Sequence, residues 1–471
     1  MRALVAWLCL FAAGCTVGPD YERPALELPQ DYLRAPADAP TLHAIADVPW
    51  WQVFEDPQLV RLVEEALSEN LDLRLAAAQV LEAQAELAAA RAPFFPFATG
   101  ELEASRGNQT PSLRTENSFL AALALSWEID FWGRYRRATE AARAALLATE
   151  EGRRSVVASL VAAVAQQYLQ LAALHERLRI VLRTAEAQED SLGLVRSLSR
   201  RGVQSDAEVR QAESQLLATQ AQVPGLERQI AQAENALAVL LGRPPREFKV
   251  KAGLPGIGVP PQVPIGVPSE ILARRPDVRR AEQDLVAANA NIGVARALFF
   301  PSISLTGLLG RASDTLRGVV SSRGETVGSV SLGASVPLFT GGELTANYEA
   351  ARARAEQAVI GYRRTVLLAL QEVSDALVAF DRDRREAEIN RRRVAVTQDS
   401  LRLADLRFRH GVISFLEVLD AQRQLFAAQL DLNAAELNQR LSAVQLYRAL
   451  GGGWTAADGA TDEAPSNPPR R

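Results

Sequence analysis

Few side chains in this sequence are spaced for covalent or metal chemistry, and Cys15 is the strongest candidate. It closes the run Ala12-Ala13-Gly14-Cys15, which resembles a lipobox: small residues ahead of a cysteine that becomes the lipidated first residue of the mature chain. The residues in front fit that chemistry. Arg2 supplies a positive start, and Ala3 to Ala13 form one apolar stretch, too short to span a bilayer and suited to a secretory signal. Thr16 follows; an Asp there would favour inner-membrane retention. Cys9 leaves with the signal, so no intrachain disulfide is expected. His43, His175 and His410 lack metal-ligand spacing, and no metal is expected. There is no phosphate-binding glycine loop or nucleophile motif. Gly253 to Gly258 reads GLPGIG, without dinucleotide-fingerprint spacing and among prolines. Neither an enzyme nor a cofactor is expected.

The composition sets further bounds. The chain has 471 residues, of which 48% are apolar, enough for a packed core. A net charge of −4 argues against nucleic acid as a main partner. Only Lys249 and Lys251 are lysines, so a single arginine carries little weight as a designed site. After Cys15 the sequence shows no run that reads as a transmembrane helix. The mixed-sign run Asp381 to Arg393 reads as a solvated helix face with i to i+4 pairs and is assigned no site.

The elements are written twice. Arg91-Ala-Pro-Phe-Phe-Pro96 returns as Arg296-Ala-Leu-Phe-Phe-Pro301, and Asn70–Arg74 falls on Arg275–Arg279, both at an offset of 205. Asp130–Arg134 matches Leu338–Gly342 at 208, Arg201–Ser205 matches His410–Ser414 at 209, and Val239–Gly242 matches Arg448–Gly451 at 209. A duplication with two small indels accounts for the drift. Between the halves, Gly242 to Pro268 holds seven prolines and reads as a connector. The resulting layout is a signal peptide at 1–14, an N-terminal tail at 15–55, repeat 1 at 56–242, the connector at 243–268, repeat 2 at 269–451 and a disordered tail at 452–471.

Each repeat reads as helix, β-hairpin, very long helix, turn and returning helix. Asp56-Pro57 is an N-cap with Pro at the first helical position, a break falls near Glu69 and Asn70, and Pro96 and Pro301 stop the leading helices. The period then changes to two. Phe119, Ala121, Leu123, Leu125 and Trp127 share a face; Val330, Leu332, Ala334 and Val336 alternate with Ser329, Ser331, Gly333 and Ser335. Strands of about 10 residues suit a tilted crossing of a bilayer, although a soluble hairpin packed on a helix shows the same alternation. Proline-free stretches at 134–199 and 343–408 are predicted as two very long helices of equal length. Each meets a Gly-Val turn and returns as a helix of about 35 residues, and helices of this kind pair as coiled coils. Four strands cannot close a barrel, and an open sheet edge cannot face lipid. Strands in a membrane would therefore require two, three or four copies, giving 8, 12 or 16 strands.

The motifs CTVGPDYERP, PWWQVFEDPQL, VPSEILARRPDVRRAE (with Val267 in a usual Leu place), AANANIGVARALFFPSISL, PLFTGGEL and FRHGVISFLEVLDAQRQL run from Cys15 to Leu425, within a stretch from Cys15 to Gly451 that is nearly the whole mature chain. Together they resemble the bacterial outer membrane factors, the efflux and export ducts, and in particular the lipoprotein branch serving resistance–nodulation–division pumps. The resemblance implies a membrane α+β fold. A homotrimer would form a 12-stranded transmembrane β-barrel, four strands per chain, continuous with a long periplasmic α-helical barrel. The tail, connector and chain end would form an equatorial belt. It implies passive passage of drugs or other solutes, a proton-driven inner-membrane pump, a periplasmic adaptor, and outer membrane lipid around the barrel.

By position in the family pattern, Leu416, Glu417, Asp420 and Arg423 match the periplasmic aperture, where three copies of Glu417 and Asp420 would make acidic rings. Asp420 and Arg423 can also pair along the helix. Ala207, Glu208 and Gln211 stand at the matching places of repeat 1. Phe408 and Ile413 stand where relatives often carry a locking Tyr and Arg, a departure from the pattern. Gly202, Val203, Ser205, Gly411, Val412 and Ser414 would form the tips that meet the adaptor. Phe94, Phe95, Phe299 and Phe300 would sit near the membrane interface. Two rival readings are a duct for secreted proteins and a periplasmic coiled-coil lipoprotein without a pore.

Overall fold

The computed structural model describes residues 16–29, 32, 54, 56–108, 115–248, 253–259, 268–321 and 324–452. Cys15, the signal peptide, most of the 15–55 tail and residues 453–471 lie outside them. Helix α1 (Pro57–Glu69) begins where the Asp56 carboxylate accepts from the Gln58 amide at 2.7 Å, satisfying a donor that the helix leaves free. Asn70 ends it and caps the next helix, α2 (Leu71–Arg91): its Oδ1 accepts from the Leu73 amide at 2.9 Å. Pro93 then forces a single 3-10 turn at Ala92–Phe94.

Four strands follow in two pairs: β1 (Phe97–Asn108) and β2 (Thr115–Ile129), then β3 (Ser302–Ser313) and β4 (Glu325–Ser335). They form one antiparallel meander in the order β1-β2-β3-β4. Among the described residues β1 and β4 are paired on one side only. The period-two pattern holds, and the apolar side is open: Leu102 is 88% exposed, Val330 82% and Leu332 70%. A face of that kind is not stable in water.

The long helices are α3 (Arg134–Arg200) and α8 (Glu343–Arg409), 67 residues each. The returning helix of repeat 2 is the single α9 (Phe415–Ala449). In repeat 1 it is not single: α4 (Asp206–Gln220) gives way to α5 (Val223–Leu240), with Pro224 in the first turn of α5. Proline has no amide to donate and its ring crowds the preceding turn, so the long returning helix expected there is interrupted. Between the halves, α6 (Pro276–Ala297) leads repeat 2 as α2 leads repeat 1. A short α7 (Leu316–Val320) sits in the second hairpin loop.

The chain divides into two compact units, and each takes sequence from both repeats. The described parts of Met1–Leu26, Ala78–Glu151 and Arg279–Thr365 form the first, which holds the whole sheet. Glu27–Ala77, Gly152–Val278 and Val366–Arg471, where described, form the second. In the second unit α3 carries one stretch apolar enough by length and composition to cross a membrane, contrary to the expectation of none, but most of it is buried. Val161, Val164, Ala165, Leu169 and Leu171 there are at most 1% exposed, which makes it a core helix. Arg391 and Arg393 also depart from a purely solvated face. They reach α9 at Glu436 (2.8 Å) and Asp431 (2.7 Å), while Arg385–Asp381 and Arg392–Glu388 keep the i to i+4 pattern.

Strand register revises the repeat arithmetic. Phe97 faces Ser126, and its counterpart Ser302, at an offset of 205, faces Ser335, which lies at an offset of 209 from Ser126. The starts and ends of α3 and α8 are also 209 apart. The offset at the strand–helix junction is thus 209, not 208. The drift is one four-residue difference between β1 and β2 on one side and β3 and β4 on the other, and the second hairpin loop carries α7.

Candidate functional site

The residues matched to the aperture lie together on one face of α9. Leu416, Glu417, Asp420 and Arg423 are exposed, while Phe415, Val418, Leu419 and Gln422 on the opposite side are buried, the three-and-four spacing of a half-buried helix. With Arg407 and Ser400 of α8 they line an open groove of about 670 Å³. Asp420 stands 3.9 Å from Arg423, at the limit of an ion pair, and accepts from Gln424 Nε2 at 2.6 Å. Arg407 and Gln424 were missed in the sequence. The stripe Ser400, Leu403, Ala404 and Arg407 on α8 has helical spacing, but nothing local says which helix it faces.

Glu417 has a counterpart in repeat 1. Glu208 closes a capping box with Ser205: the Ser205 amide donates to the Glu208 carboxylate at 3.0 Å, and the Glu208 amide donates to Ser205 Oγ at 3.4 Å. Ser414 and Glu417 carry the same S-x-x-E spacing, yet Ser414 makes no side-chain capping bond. The Glu417 carboxylate faces the groove instead.

The two Gly-Val turns are the same structure. Gly202 and Gly411 have φ of 75° and 71°, a left-handed conformation that costs a side-chain-bearing residue. The Val203 amide donates to the Leu198 carbonyl at 3.0 Å and the Val412 amide to the Arg407 carbonyl at 2.9 Å, the double closure of a Schellman end. Gly242 and Gly451 close α5 and α9 in the same way. One apolar core lies under both turns: Leu192, Val195 and Leu216 with Phe408, Phe415 and Leu419. Phe408 and Phe415 meet at 5.4 Å between ring centres. Phe408 is therefore a core residue here.

The paired phenylalanines sit at the helix–strand junctions. Phe95 is 72% and Phe299 40% exposed, while Phe94 and Phe300 are half-buried. Two tryptophans hold these turns, and sequence reasoning did not assign them. Trp127 Nε1 donates to the Phe94 carbonyl at 3.1 Å, and Trp132 Nε1 donates to the Pro301 carbonyl at 2.8 Å. Trp132 also stacks on Phe300 at 4.6 Å. Beside them runs the segment after Cys15. Val17 donates its amide to the Trp132 carbonyl at 3.1 Å. Arg23 makes a two-bond pair with Glu282 at 2.6 and 2.7 Å, and Tyr21 donates to the same carboxylate at 3.1 Å. Burial, and then Glu282, push the Tyr21 phenol up to about 12. Gly18 (φ 106°) passes so close to α6 that a Cβ on it would lie 2.5 Å from Gly293 Cα.

The second unit has its own buried charges. The Arg275 guanidinium holds Asp277 (3.0 and 2.7 Å), Glu372 (2.7 Å) and the Ala449 carbonyl that ends α9 (3.1 Å). Burial disfavours the Asp277 charge, but Arg275 outweighs it and holds the carboxyl below its ordinary value. Arg440 donates twice to the Ile257 carbonyl, at 3.1 and 2.8 Å, fastening the connector. Burial pulls its guanidinium below the usual range.

An amphipathic four-stranded sheet with an exposed apolar face and two open edges, joined to helices of 67 residues, defines a protein whose strands enter a membrane as part of a larger closed sheet. The family model described as "Outer membrane efflux protein" matches residues 62–243 and 267–452, and the chain belongs to that family. It is 36% identical over 472 residues to the probable efflux pump outer membrane protein TtgC of Pseudomonas putida, covering 96% of both chains. It is 36% identical over 450 residues to the probable outer membrane lipoprotein SilC of Salmonella typhimurium, covering 94% of this chain and 96% of that one. Among solved structures, the outer-membrane channel OprN superposes with a TM-score of 0.87 at 34% identity, covering 93% of this chain and 100% of the other. The protein is thus an outer membrane exit duct for efflux. Its fold is that of the trimeric outer membrane efflux channels, with a β-barrel and a helical barrel.

Proposed function

We propose that three copies of this chain close their sheets into one 12-stranded barrel, and that the duct passes drugs or other small solutes passively within a tripartite efflux system. The observation that carries this is the four-stranded sheet with an exposed apolar face and an open edge on either side. Such a sheet is stable in lipid only when closed. A periplasmic adaptor and an inner-membrane resistance–nodulation–division pump are the partners; the pump supplies energy and selects the compound. Gly202, Val203, Ser205, Gly411, Val412 and Ser414 form the adaptor-docking tips, supported by two Schellman turns of matching geometry. Phe94, Phe95, Phe299 and Phe300 lie at the lipid interface, supported by their place where helix gives way to strand. Cys15 carries lipid, supported by its lipobox and by the naming of SilC as a probable lipoprotein. The repeat boundaries at 56–242 and 269–451, with 15–55 and 243–268 as belt segments, complete the layout.

Leu416, Glu417, Asp420 and Arg423 form the periplasmic aperture, and Glu417 and Asp420 make it cation-preferring. Purified protein in planar bilayers is expected to conduct with a preference for cations, and Glu417→Ala with Asp420→Ala to weaken that preference. An unchanged preference would remove these residues from the aperture. No conductance from a folded trimer, even in the double variant, would overturn the pore.

A further inference from the structure

The strand registers sort the side chains of the sheet onto two faces, because successive residues of a strand point to opposite sides. One face carries the exposed apolar positions Leu102, Leu123, Leu309, Val330 and Leu332. The carboxylates Glu101, Glu103, Glu128 and Glu325 all stand on the other face. Among the described side chains of the strands, the apolar face is charged at Arg106 and Arg311 alone. The sheet thus keeps its cations on the apolar side and its acids on the polar side.

The two arginines hold the same place in each half. Arg311 follows Arg106 by 205 positions, the offset that carries β1 onto β3. A single arginine would mean little in a chain whose cations are nearly all arginine, but the same residue at the same point of both hairpins is a pattern. Each stands where the apolar run stops: Arg106 pairs with Asn117, and Arg311 with Thr326. Arg311 lies eight positions beyond Ile303, the first apolar residue of β3 on that face, which is about 27 Å along the strand. At a tilt of about 40° this spans about 20 Å of bilayer, close to the outer limit of an apolar band about 25 Å tall. The hairpin loops lie beyond this end and the long helices leave from the other, so in an outer membrane duct it faces the outer leaflet.

We propose that Arg106 and Arg311 bind the phosphate groups of lipopolysaccharide, the phosphorylated glycolipid of that leaflet, with two arginines in each chain and therefore six around a trimer. The chemistry fits. A guanidinium offers a planar fork of N–H donors that matches phosphate oxygens, and its apolar stem lies along the lipid-facing surface while the head reaches the polar layer. Both side chains are exposed, and among the described residues neither forms an ion pair. Arg311 uses one donor on the Ser321 carbonyl at 3.3 Å, which fixes the loop of α7 beside it and leaves donors for a phosphate. Asp314, the loop carboxylate next to the end of β3, accepts from Ser313 Oγ at 3.3 Å. The assignment rests on the reading above that lipid covers the apolar face, and the count of six rests on the homotrimer.

The test reconstitutes the purified full chain into phosphatidylcholine vesicles and titrates it with lipopolysaccharide and with enzymatically dephosphorylated lipopolysaccharide. Wild type is compared with Arg106→Gln plus Arg311→Gln and with Arg106→Lys plus Arg311→Lys. The glutamine pair is expected to bind lipopolysaccharide about tenfold more weakly than wild type, and the lysine pair to keep most of the affinity. Dephosphorylation should bring wild type down to the level of the glutamine pair. Equal affinity of wild type and the glutamine pair, or of wild type for the two lipids, overturns the site. Displacement of the lipid by an equal concentration of inorganic phosphate overturns lipid as the occupant. If the glutamine pair does not assemble, wild type and the lysine pair on the two lipids still decide. Wild-type chains that do not float with the vesicles overturn the membrane reading underneath, whereas floating chains with an unchanged affinity overturn this proposal alone.

Discussion

At the scale of single residues, the buried charges do structural work that pH can probe. Asp277 has a folded carboxyl below its ordinary 3.8. A depressed acid adds stability above the unfolded pKa and loses it as pH falls through the folded one. Asp277→Asn is therefore expected to cost about 0.5–1 kcal/mol near neutral pH, a modest figure because the carboxylate is partly exposed. The difference from wild type should shrink as pH falls below 3.8 and vanish once the folded carboxyl is itself protonated, as unfolding followed across pH will show; a gap that persists in strong acid would mean the pair is held by packing, not charge. Legibility in the sequence divides along the same line. Asp56 was legible as a cap because its signal is local: a carboxylate, a proline, then a helix. Its bond from the Tyr168 hydroxyl at 2.6 Å was not, because the two lie 112 positions apart. Glu417 and Asp420 could be placed by position in a motif, but Arg407 and Gln424 enter the groove only through the pairing of α8 with α9.

At the scale of elements, prolines, glycines and the change of period fixed most boundaries, and these are local signals too. The sequence missed the interruption at Pro224 because the apolar pattern continues across it. It placed the starts of both long helices at Arg134 and Glu343 correctly, but aligned the motifs before them one position short, because Phe131–Phe339 and Gly133–Gly341 both match at 208 and only strand register decides the offset. The glycine turns supply a further prediction. Gly411 and Gly242 have similar φ, 71° and 66°, but a Cβ on Gly411 meets nothing within 4 Å, whereas one on Gly242 collides with the Glu69 carbonyl. Gly411→Ala is expected to cost only the left-handed backbone penalty, about 1–2 kcal/mol. Gly242→Ala should cost clearly more, because the collision adds to it. Thermal unfolding of the two variants checks the order; equal losses would show that α1 yields at Glu69.

At the scale of the whole molecule, single-chain sequence patterns could announce strands and long helices but not how many copies close the sheet, since four strands per chain admit several closed barrels. The lipid anchor belongs to this scale as well. Cys15→Ser is expected to abolish labelling by a radioactive or clickable fatty acid, and persistent labelling would show that the lipobox was misread. The segment behind the cysteine does not depend on the lipid for its place. Its bonds to Glu282, Asn289 and Trp132 are made by protein, so the variant should fold.

The order of synthesis gives that segment a further meaning. Thr16 to Arg23 are made near the start, yet Glu282 lies 259 positions beyond Arg23, and Asn289 lies 270 beyond Pro19. The close passage of Gly18 over Gly293 leaves no room for a looser fit. Contacts of such sequence separation form late. A chain cut short after its first repeat would keep the bonds of Val17 to Trp132 and of Asp20 to Arg137 but lack those to Glu282 and Asn289. The complete seat of that end thus forms only once the second repeat has been made and folded.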